Sequence, residues 1–390
     1  MLDGHVQRAD VRLRVTAQLV RVDDGALLWA EKFDEQFTHI FAIQHSISEQ
    51  VARTLLLRLS GEQQQRLTKR YTEDPKAYEL FLRGVYETNK GTKKSAHKTV
   101  EFFGQAIEKD PGYARAYAGL ADAWCWLSHL FIDPKEALPQ AKAAALKALE
   151  MDETLAETHL ALGRVKMWYE WDWEGCAREF QRALELNPHL AHAHIWYALY
   201  LTATEQFDEG EAEAGMSLEL DPLSLNHNAM TGWVFYLGRR YERACEQFRR
   251  VIGLEPTYFM AYWGLGWALM HQERYEEAIE EIRKGQALGG GAEFCAGLSH
   301  VHARAGRTEE ARRLLDELRE SSKQRSIAPF YFALAHVGLG EIDETFAALE
   351  LAFRDRFEWV LHCRVSPEWD PLRSDPRFAD LLRRIGIGAF

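Results

Sequence analysis

Hydrophobic positions along most of this chain recur with helical spacing, and the arrangement repeats every 34 residues. Between Ala191 and Gly290, each block holds an aromatic-rich segment followed by an acidic amphipathic segment. Pro188, Pro222 and Pro256 punctuate the blocks and stand 34 residues apart. Proline suits a helix start, where an amide hydrogen would have no helical partner. A fixed period of this length predicts a mainly α fold made of stacked helix pairs.

The pattern predicts eight paired units between residues 75 and 357. The unit at 111–152 is longer than 34 residues, and the unit at 290–325 lacks a boundary proline, so we expect local distortion at both. The predicted units are 75–110, 111–152, 153–187, 188–221, 222–255, 256–289, 290–325 and 326–357.

Residues 1–60 follow a different period. From Val11 to Leu19, apolar side chains alternate with polar ones, which indicates a half-buried strand. The turn residues Asp23-Asp24-Gly25 lead to a returning strand at 27–33, and an earlier strand is expected near 5–8. We therefore expect a small β-hairpin/α segment and then a polar connector at 61–74. The α part is an amphipathic helix whose apolar residues are Ile40, Ile43, Ile47, Val51 and Leu55.

The last residues, 358–390, leave the repeat pattern. Pro367, Pro371 and Pro376 divide them, and Ser374 to Ile385 is predicted to be a short helix with an N-cap and an early proline. A repeat array needs its terminal apolar face covered. We therefore expect a C-terminal cap with one helix.

Composition narrows the classes of function. The net charge of −12 disfavours a general affinity for nucleic acid or for an anionic membrane, since both need a basic face. The sequence shows neither a signal peptide nor an apolar run of membrane-spanning length. We expect a cytoplasmic location, or an extracytoplasmic one if an anchor precedes the chain. Buried free thiols, rather than disulfides or a zinc site, are expected of the scattered cysteines Cys125, Cys176, Cys245, Cys295 and Cys363.

Catalytic motifs are weak. Gly264-Leu-Gly266 and Gly338-Leu-Gly340 lie inside helical patterns without a preceding strand, which disfavours a dinucleotide site. The histidines at 189, 192 and 194 suggest a metal site, but no acidic or cysteine partner stands at ligand spacing, so packing or surface roles are favoured. We predict no enzyme activity, no cofactor and no metal.

The repeat residues resemble the tetratricopeptide family over about three-quarters of the chain. The resemblance implies a right-handed α-α superhelix, a solenoid of about eight helix pairs. It is carried by the boundary pairs Asn187-Pro188, Asp221-Pro222 and Glu255-Pro256, by Gly119, Gly163, Gly232 and Gly266, by Ala244 and Ala278, and by Phe103, Phe180 and Phe248.

A second resemblance concerns the first 60 residues. Leu13-Arg-Val-Thr-Ala-Gln-Leu and Gly25-Ala-Leu-Leu-Trp-Ala-Glu-Lys-Phe-Asp are similar to the second half of a TolB amino-terminal-like domain. In bacteria that domain often precedes tetratricopeptide repeats in proteins that also carry a winged helix, a nucleotide cyclase or a kinase.

The tetratricopeptide resemblance implies that the first helix of each pair lines a concave groove. In this sequence the lining is aromatic and methionine-rich, which suggests a binding surface for an apolar or amphipathic segment. The alternative is that these side chains only pack neighbouring helices together. Family positions place in the groove Met167, Trp168, Ile195, Leu199, Trp233, Tyr236, Met260, Trp263, Trp267 and Met270.

Two functions remain open from the sequence. The first is a non-enzymatic scaffold or adaptor that holds a protein or peptide partner in the groove. The second is the sensory or regulatory part of a larger bacterial kinase, cyclase or winged-helix regulator. In addition, the unpaired strand edges at residues 5–33 suggest a homodimer. Trp171 and Trp173 are expected to wedge neighbouring repeats, with ligand stacking as the alternative.

Overall fold

A computed structural model describes residues 1–9, 12–36, 71–88, 93–130 and 132–387, together with residues 43, 46, 47, 50, 51, 53 and 54. The chain divides into two compact units, Met1–Tyr117 and Ala118–Phe390. Each is described separately below.

The first unit opens with the antiparallel sheet that the alternating pattern predicts. Its strands are β1 (Leu2–Ala9), β2 (Arg12–Val20) and β3 (Leu27–Gln36), in the order β1-β2-β3. The apolar side chains of β2 are buried, whereas its polar side chains are exposed or half-buried. The turn between β2 and β3 has its left-handed residue at Gly25, where φ is 69°.

The amphipathic helix predicted after the sheet is described only in part. Ile43, Ile47 and Val51 are helical, and Ile43 packs in a small cluster with Leu13 and Val15. Ile40 and Leu55 lie outside the described residues, as do residues 61–70 of the connector. The likeness of the whole stretch to a TolB-like domain stays a prediction.

Eight helix pairs follow, as the 34-residue period predicts, and they form a tetratricopeptide-like solenoid. In each pair the odd-numbered helix comes first, and we call it the A helix and its partner the B helix. The helices are α1 (Pro75–Thr88), α2 (Lys93–Lys109), α3 (Ala114–Leu130), α4 (Pro134–Met151), α5 (Ala156–Val165), α6 (Trp173–Leu186), α7 (Ala191–Ala203), α8 (Phe207–Leu220), α9 (Leu225–Leu237), α10 (Tyr241–Leu254), α11 (Phe259–Met270), α12 (Tyr275–Ala287), α13 (Ala292–Arg304), α14 (Thr308–Ser322), α15 (Pro329–Gly338) and α16 (Ile342–Arg354).

Close packing inside each pair depends on small residues opposite phenylalanine. A side chain added at Gly264 of α11 would meet the ring of Phe248 of α10 at 2.2 Å, so only glycine fits at that position. Phe248 itself is fully buried. The recurrence of glycine and phenylalanine in the sequence therefore has a steric cause.

Consecutive A helices of the second unit also contact one another, as α7 does α9 and α9 does α11. Their shared face forms the inner surface of the solenoid. The turn from A helix to B helix recurs with one left-handed residue, at Glu205, Arg239 and Glu273 and then at Gly306 and Gly340.

One irregularity was not expected. A π-helical turn, Lys166–Glu170, continues α5, and Trp171 follows it in the left-handed conformation with φ 59°. The insertion predicted near 131–134 lies between α3 and α4, although Phe131 is outside the described residues. Asp133 there accepts a hydrogen bond from the amide of Lys135 and so caps α4.

The chain ends in two short 3-10 helices, Glu358–His362 and Pro367–Leu372, and a last helix α17 (Pro376–Ile385). Asp375 caps α17 through the amide of Arg377, as the sequence predicts. We call residues 357–387 the C-terminal segment. They cap the array, but their contacts reach well beyond the last repeat.

Candidate functional site

The ten residues predicted to line the groove are almost all enclosed. Every one is buried except Met260, which is half-buried. The structure thus brings them to the inner surface without leaving them free to solvent. Two different neighbours cover them: the next A helix in some cases and the C-terminal segment in others.

Trp263 and Trp267 of α11 pack against the following repeat. The Trp263 ring lies 5.2 Å from that of Phe294, and a side chain at Gly297 would meet Trp263 at 2.4 Å. Trp267 makes an edge contact with His300, with ring centres 5.0 Å apart. For these two tryptophans, the geometry corresponds to the packing alternative.

Trp168 takes part in a cluster that the sequence reasoning missed. The guanidinium of Arg164 lies between the Trp168 and Trp196 rings, 4.8 Å and 4.5 Å from their centres, and it forms an ion pair with Asp122. Arg164 is almost completely buried. Stacking on two aromatic faces is a favourable environment for a desolvated guanidinium. An arginine inside the otherwise apolar α5 was the available signal.

Trp233 and Tyr236 of α9 face the C-terminal segment instead. The Trp233 ring lies 5.0 Å from that of Trp359, in an edge-to-face arrangement. The Tyr236 hydroxyl donates to Glu368 Oε1 over 2.6 Å. Aromatic anchors of this kind carry much of the energy at binding interfaces.

The turn that follows α9 adds a bidentate ion pair. The two terminal nitrogens of Arg239 donate to the two carboxylate oxygens of Asp370, each over 2.7 Å. One repeat earlier, Glu205 accepts from Arg364 over 2.7 Å. Both partners on the array are the left-handed residues of their turns. A non-glycine residue in that conformation costs on the order of 1 kcal/mol, so a contact made by its side chain offsets the strain.

Electrostatics at these contacts follow from burial and pairing. Burial raises the pKa of Glu368, because it disfavours the charged carboxylate. Burial also raises the pKa of Tyr236 well above its usual value, so its hydroxyl keeps the proton that it donates. At Asp370 burial acts in the same direction, but hydrogen bonds from Arg239 and Arg373 outweigh it and lower the pKa. Asp370 is therefore charged at neutral pH.

The aromatic cluster around Trp171 and Trp173 also meets the end of the chain. The Trp173 indole nitrogen donates to the carbonyl oxygen of Ile385 over 2.8 Å. The Trp171 ring lies 4.9 Å from that of Phe353, and the guanidinium of Arg356 lies 3.7 Å from its centre. These tryptophans thus join the third repeat to the last one, rather than only wedging adjacent repeats.

The histidine group has a structural explanation. His194 Nε2 contacts the carbonyl oxygen of Pro188 at 2.9 Å, and its Nδ1 contacts Glu213 of the B helix. Burial acts to lower the pKa of His194, but the contacts with Glu213 and Pro188 outweigh it and raise the pKa. His159, Asn228 and Tyr262 bond in the same way to a carbonyl six residues earlier. The side chain at this repeat position fixes the start of its A helix.

Other classes of site can be addressed only within the described residues. Among them, no group of three or more histidine, cysteine, aspartate or glutamate side chains is placed to hold a metal ion. None of the described helices has the length and apolar character needed to cross a membrane. The cysteines are free thiols, buried except for the half-buried Cys295.

Comparison with known proteins supports the repeat assignment. The sequence profile of the tetratricopeptide repeat matches residues 230–293, from α9 to the start of α13. The chain is 28% identical over 170 residues to "Putative adenylate cyclase 3" of Rhizobium meliloti (strain 1021), covering 43% of this chain and 29% of that protein. It is 25% identical over 158 residues to the transcriptional regulator HilA of Salmonella typhimurium, covering 40% and 28%. The chain thus spans less than a third of the length of these curated relatives.

Solved structures show similar helix arrays. Yeast Tom70 aligns with a TM-score of 0.46 and 17% identity, covering 80% of this chain and 69% of that chain. PilW, a type IV pilus biogenesis factor, aligns with a TM-score of 0.47 and 16% identity, covering 59% and 97%.

Proposed function

We propose that this chain of tetratricopeptide repeats is a non-enzymatic protein-interaction module whose inner surface binds an apolar or amphipathic segment of a partner. One observation carries the proposal: the inner surface around Trp233, Tyr236 and Arg239 already accommodates a peptide segment. That segment presents an aromatic ring to an aromatic ring and carboxylates to a hydroxyl and a guanidinium. Such a combination is how grooves recognise short segments of protein.

Selection from a library of displayed peptides tests this proposal. We expect the full chain to enrich peptides that combine an aromatic residue with carboxylates. Replacing Arg239 by alanine should weaken the selected peptides roughly tenfold, since a charge-assisted bidentate contact is lost. Arg313→Ala is the matched control, because Arg313 pairs only with Glu317 on an exposed B helix among the described contacts. Selected peptides that ignore Arg239 would contradict the proposal.

The second candidate is a regulatory part of a larger bacterial signalling protein. It is favoured by the names of the relatives, an adenylate cyclase and a transcriptional regulator, of which this chain matches only a part. In that case the inner surface would bind a segment that controls the other domains, and the location would be cytoplasmic. Reading the genomic sequence upstream of Met1 decides the matter. An upstream cyclase, kinase or winged-helix domain supports this candidate, and an upstream stop codon in frame rejects it.

A further inference from the structure

The inner surface is filled by part of the same chain. Leu361, Cys363 and Trp369 of the C-terminal segment are completely buried. The segment reaches from the last repeat back to α9 through Tyr236, and to α6 through Trp173. Any partner that binds these groups must compete with it.

We propose that the C-terminal segment is an internal ligand that closes the inner surface, and that a partner opens it by presenting the same chemistry. The inference rests on the proposed function. The partner chemistry is read from the segment: a tryptophan like Trp359, then a basic residue like Arg364, then two carboxylates like Glu368 and Asp370. The occupant is therefore an amphipathic protein segment with an aromatic anchor and acidic residues on its C-terminal side.

The array supplies contacts to this segment at positions where the fold does not need them. Glycine serves as the left-handed turn residue in the later repeats, at Gly306 and Gly340. The earlier turns instead have Glu205 and Arg239, whose side chains bind Arg364 and Asp370. These charged residues add recognition of the segment to a turn that glycine would form without strain.

The contacts of the segment are suited to exchange with a competitor. Its first part consists of 3-10 helices, whose hydrogen-bond geometry is poorer than that of an α-helix. Its ion pairs lie at the surface, since both Arg239 and Asp370 are more than a third exposed. Where the last repeat meets the third, Trp171 Nε1 and Arg356 Nη1 are buried without a hydrogen-bond partner. Unsatisfied donors weaken a contact relative to a fully bonded one.

The test compares substitutions on the two sides of the same ion pair in the full chain. Asp370→Lys loosens the segment and leaves the array intact. Arg239→Gly loosens the segment as well, keeps the turn conformation, and removes a group that a competitor needs. The probe is a fluorescein-labelled synthetic peptide with the sequence of residues 357–373, measured by fluorescence anisotropy. Hydrogen exchange of the C-terminal segment, followed by mass spectrometry, reports whether the segment has been released.

We expect both variants to speed hydrogen exchange in the C-terminal segment. Only Asp370→Lys should gain affinity for the probe, by roughly tenfold or more over the unmodified chain, because its Arg239 is free to bind the probe's carboxylate. Two controls should behave like the unmodified chain. Glu273→Gly changes the same turn position one repeat later, where the described contacts include no ion pair with the segment. Asp380→Lys places the same charge on α17, where Asp380 pairs only with Arg383 and Arg384 in the described contacts.

Two other outcomes have different meanings. If the segment exchanges as slowly as α11 in both variants and neither gains affinity for the probe, the segment is a permanent part of the core and the inference is wrong. If Asp370→Lys releases the segment but binds the probe no better, the surface opens without accepting a second segment, and the proposed function fails. Should the lysine variant lose its helical circular dichroism, the milder Asp370→Asn replaces it in the same comparison.

Discussion

At the scale of single residues, the repeats are held by steric fit and by one recurring hydrogen bond. Gly264 admits the Phe248 ring, and His194 ties its helix to the carbonyl of Pro188. The glycine was evident from the sequence, because its position recurs with the period. The hydrogen bond was not, because histidine, asparagine and tyrosine share the position and differ in every property except a polar group.

Gly264→Ala should destabilise the second unit by about 1–3 kcal/mol, because the new methyl group overlaps the buried Phe248 ring. Gly253→Ala is the matched control. An added carbon there has no atom within 4 Å, and the alanine should add up to about 1 kcal/mol through its better helix propensity. Urea unfolding followed by circular dichroism measures both. Equal effects of the two substitutions would refute the steric explanation.

At the scale of secondary-structure elements, alternation and period predicted the type of element well. The strands β1–β3 and the eight helix pairs follow the pattern of apolar residues. Period alone did not predict the π-helical turn at Lys166–Glu170, because it adds only one residue to a helix that is otherwise regular. Nor did it identify the neighbour of each face. Trp233 and Trp263 occupy equivalent repeat positions, yet one meets the C-terminal segment and the other meets the next helix.

The N-terminal sheet leads to a prediction at this scale. Strand β1 is an edge strand on which Leu2 and Val6 are exposed, by 53% and 62%. An unpaired edge with apolar side chains favours pairing with a second copy. We therefore expect a concentration-dependent dimer that Val6→Lys shifts to the monomer. Val22→Lys, with the same change at an exposed turn residue, should leave the dimer intact. Sedimentation equilibrium tests this, and a monomeric unmodified chain at high concentration would reject it.

At the scale of the whole second unit, contacts distant in sequence link its first and last repeats. Lys135 pairs with Asp355 over 3.4 Å, and Trp171 packs on Phe353. In an open repeat array each unit contacts mainly its neighbours, so stability is shared along a line. Here the third repeat is also joined to the eighth. Such contacts lie outside any sequence period, which is why the predicted groove residues could be located but not their occupant.

This linkage predicts cooperative unfolding that depends on Trp171. Trp171→Ala removes the ring between Phe353 and Arg356 and should cost about 3 kcal/mol. It should also broaden the urea transition, since the last repeat then unfolds more independently. Leu223→Ala, at a residue 71% exposed, should change stability by less than about 0.5 kcal/mol. If Trp171→Ala gives the same small change, the contact between distant repeats contributes nothing to cooperativity.

The charged turn residues have one more consequence, which concerns the direction of a bound chain. Glu205 and Arg239 belong to successive repeats and have opposite charges, and they bind Arg364 and Asp370 in that order. A segment running the other way would set its acidic residue against Glu205 and its basic residue against Arg239. The inner surface therefore distinguishes the two orientations of a peptide by electrostatic repulsion as well as attraction. A peptide with the same residues in reversed order is thus the natural negative control for the anisotropy experiment.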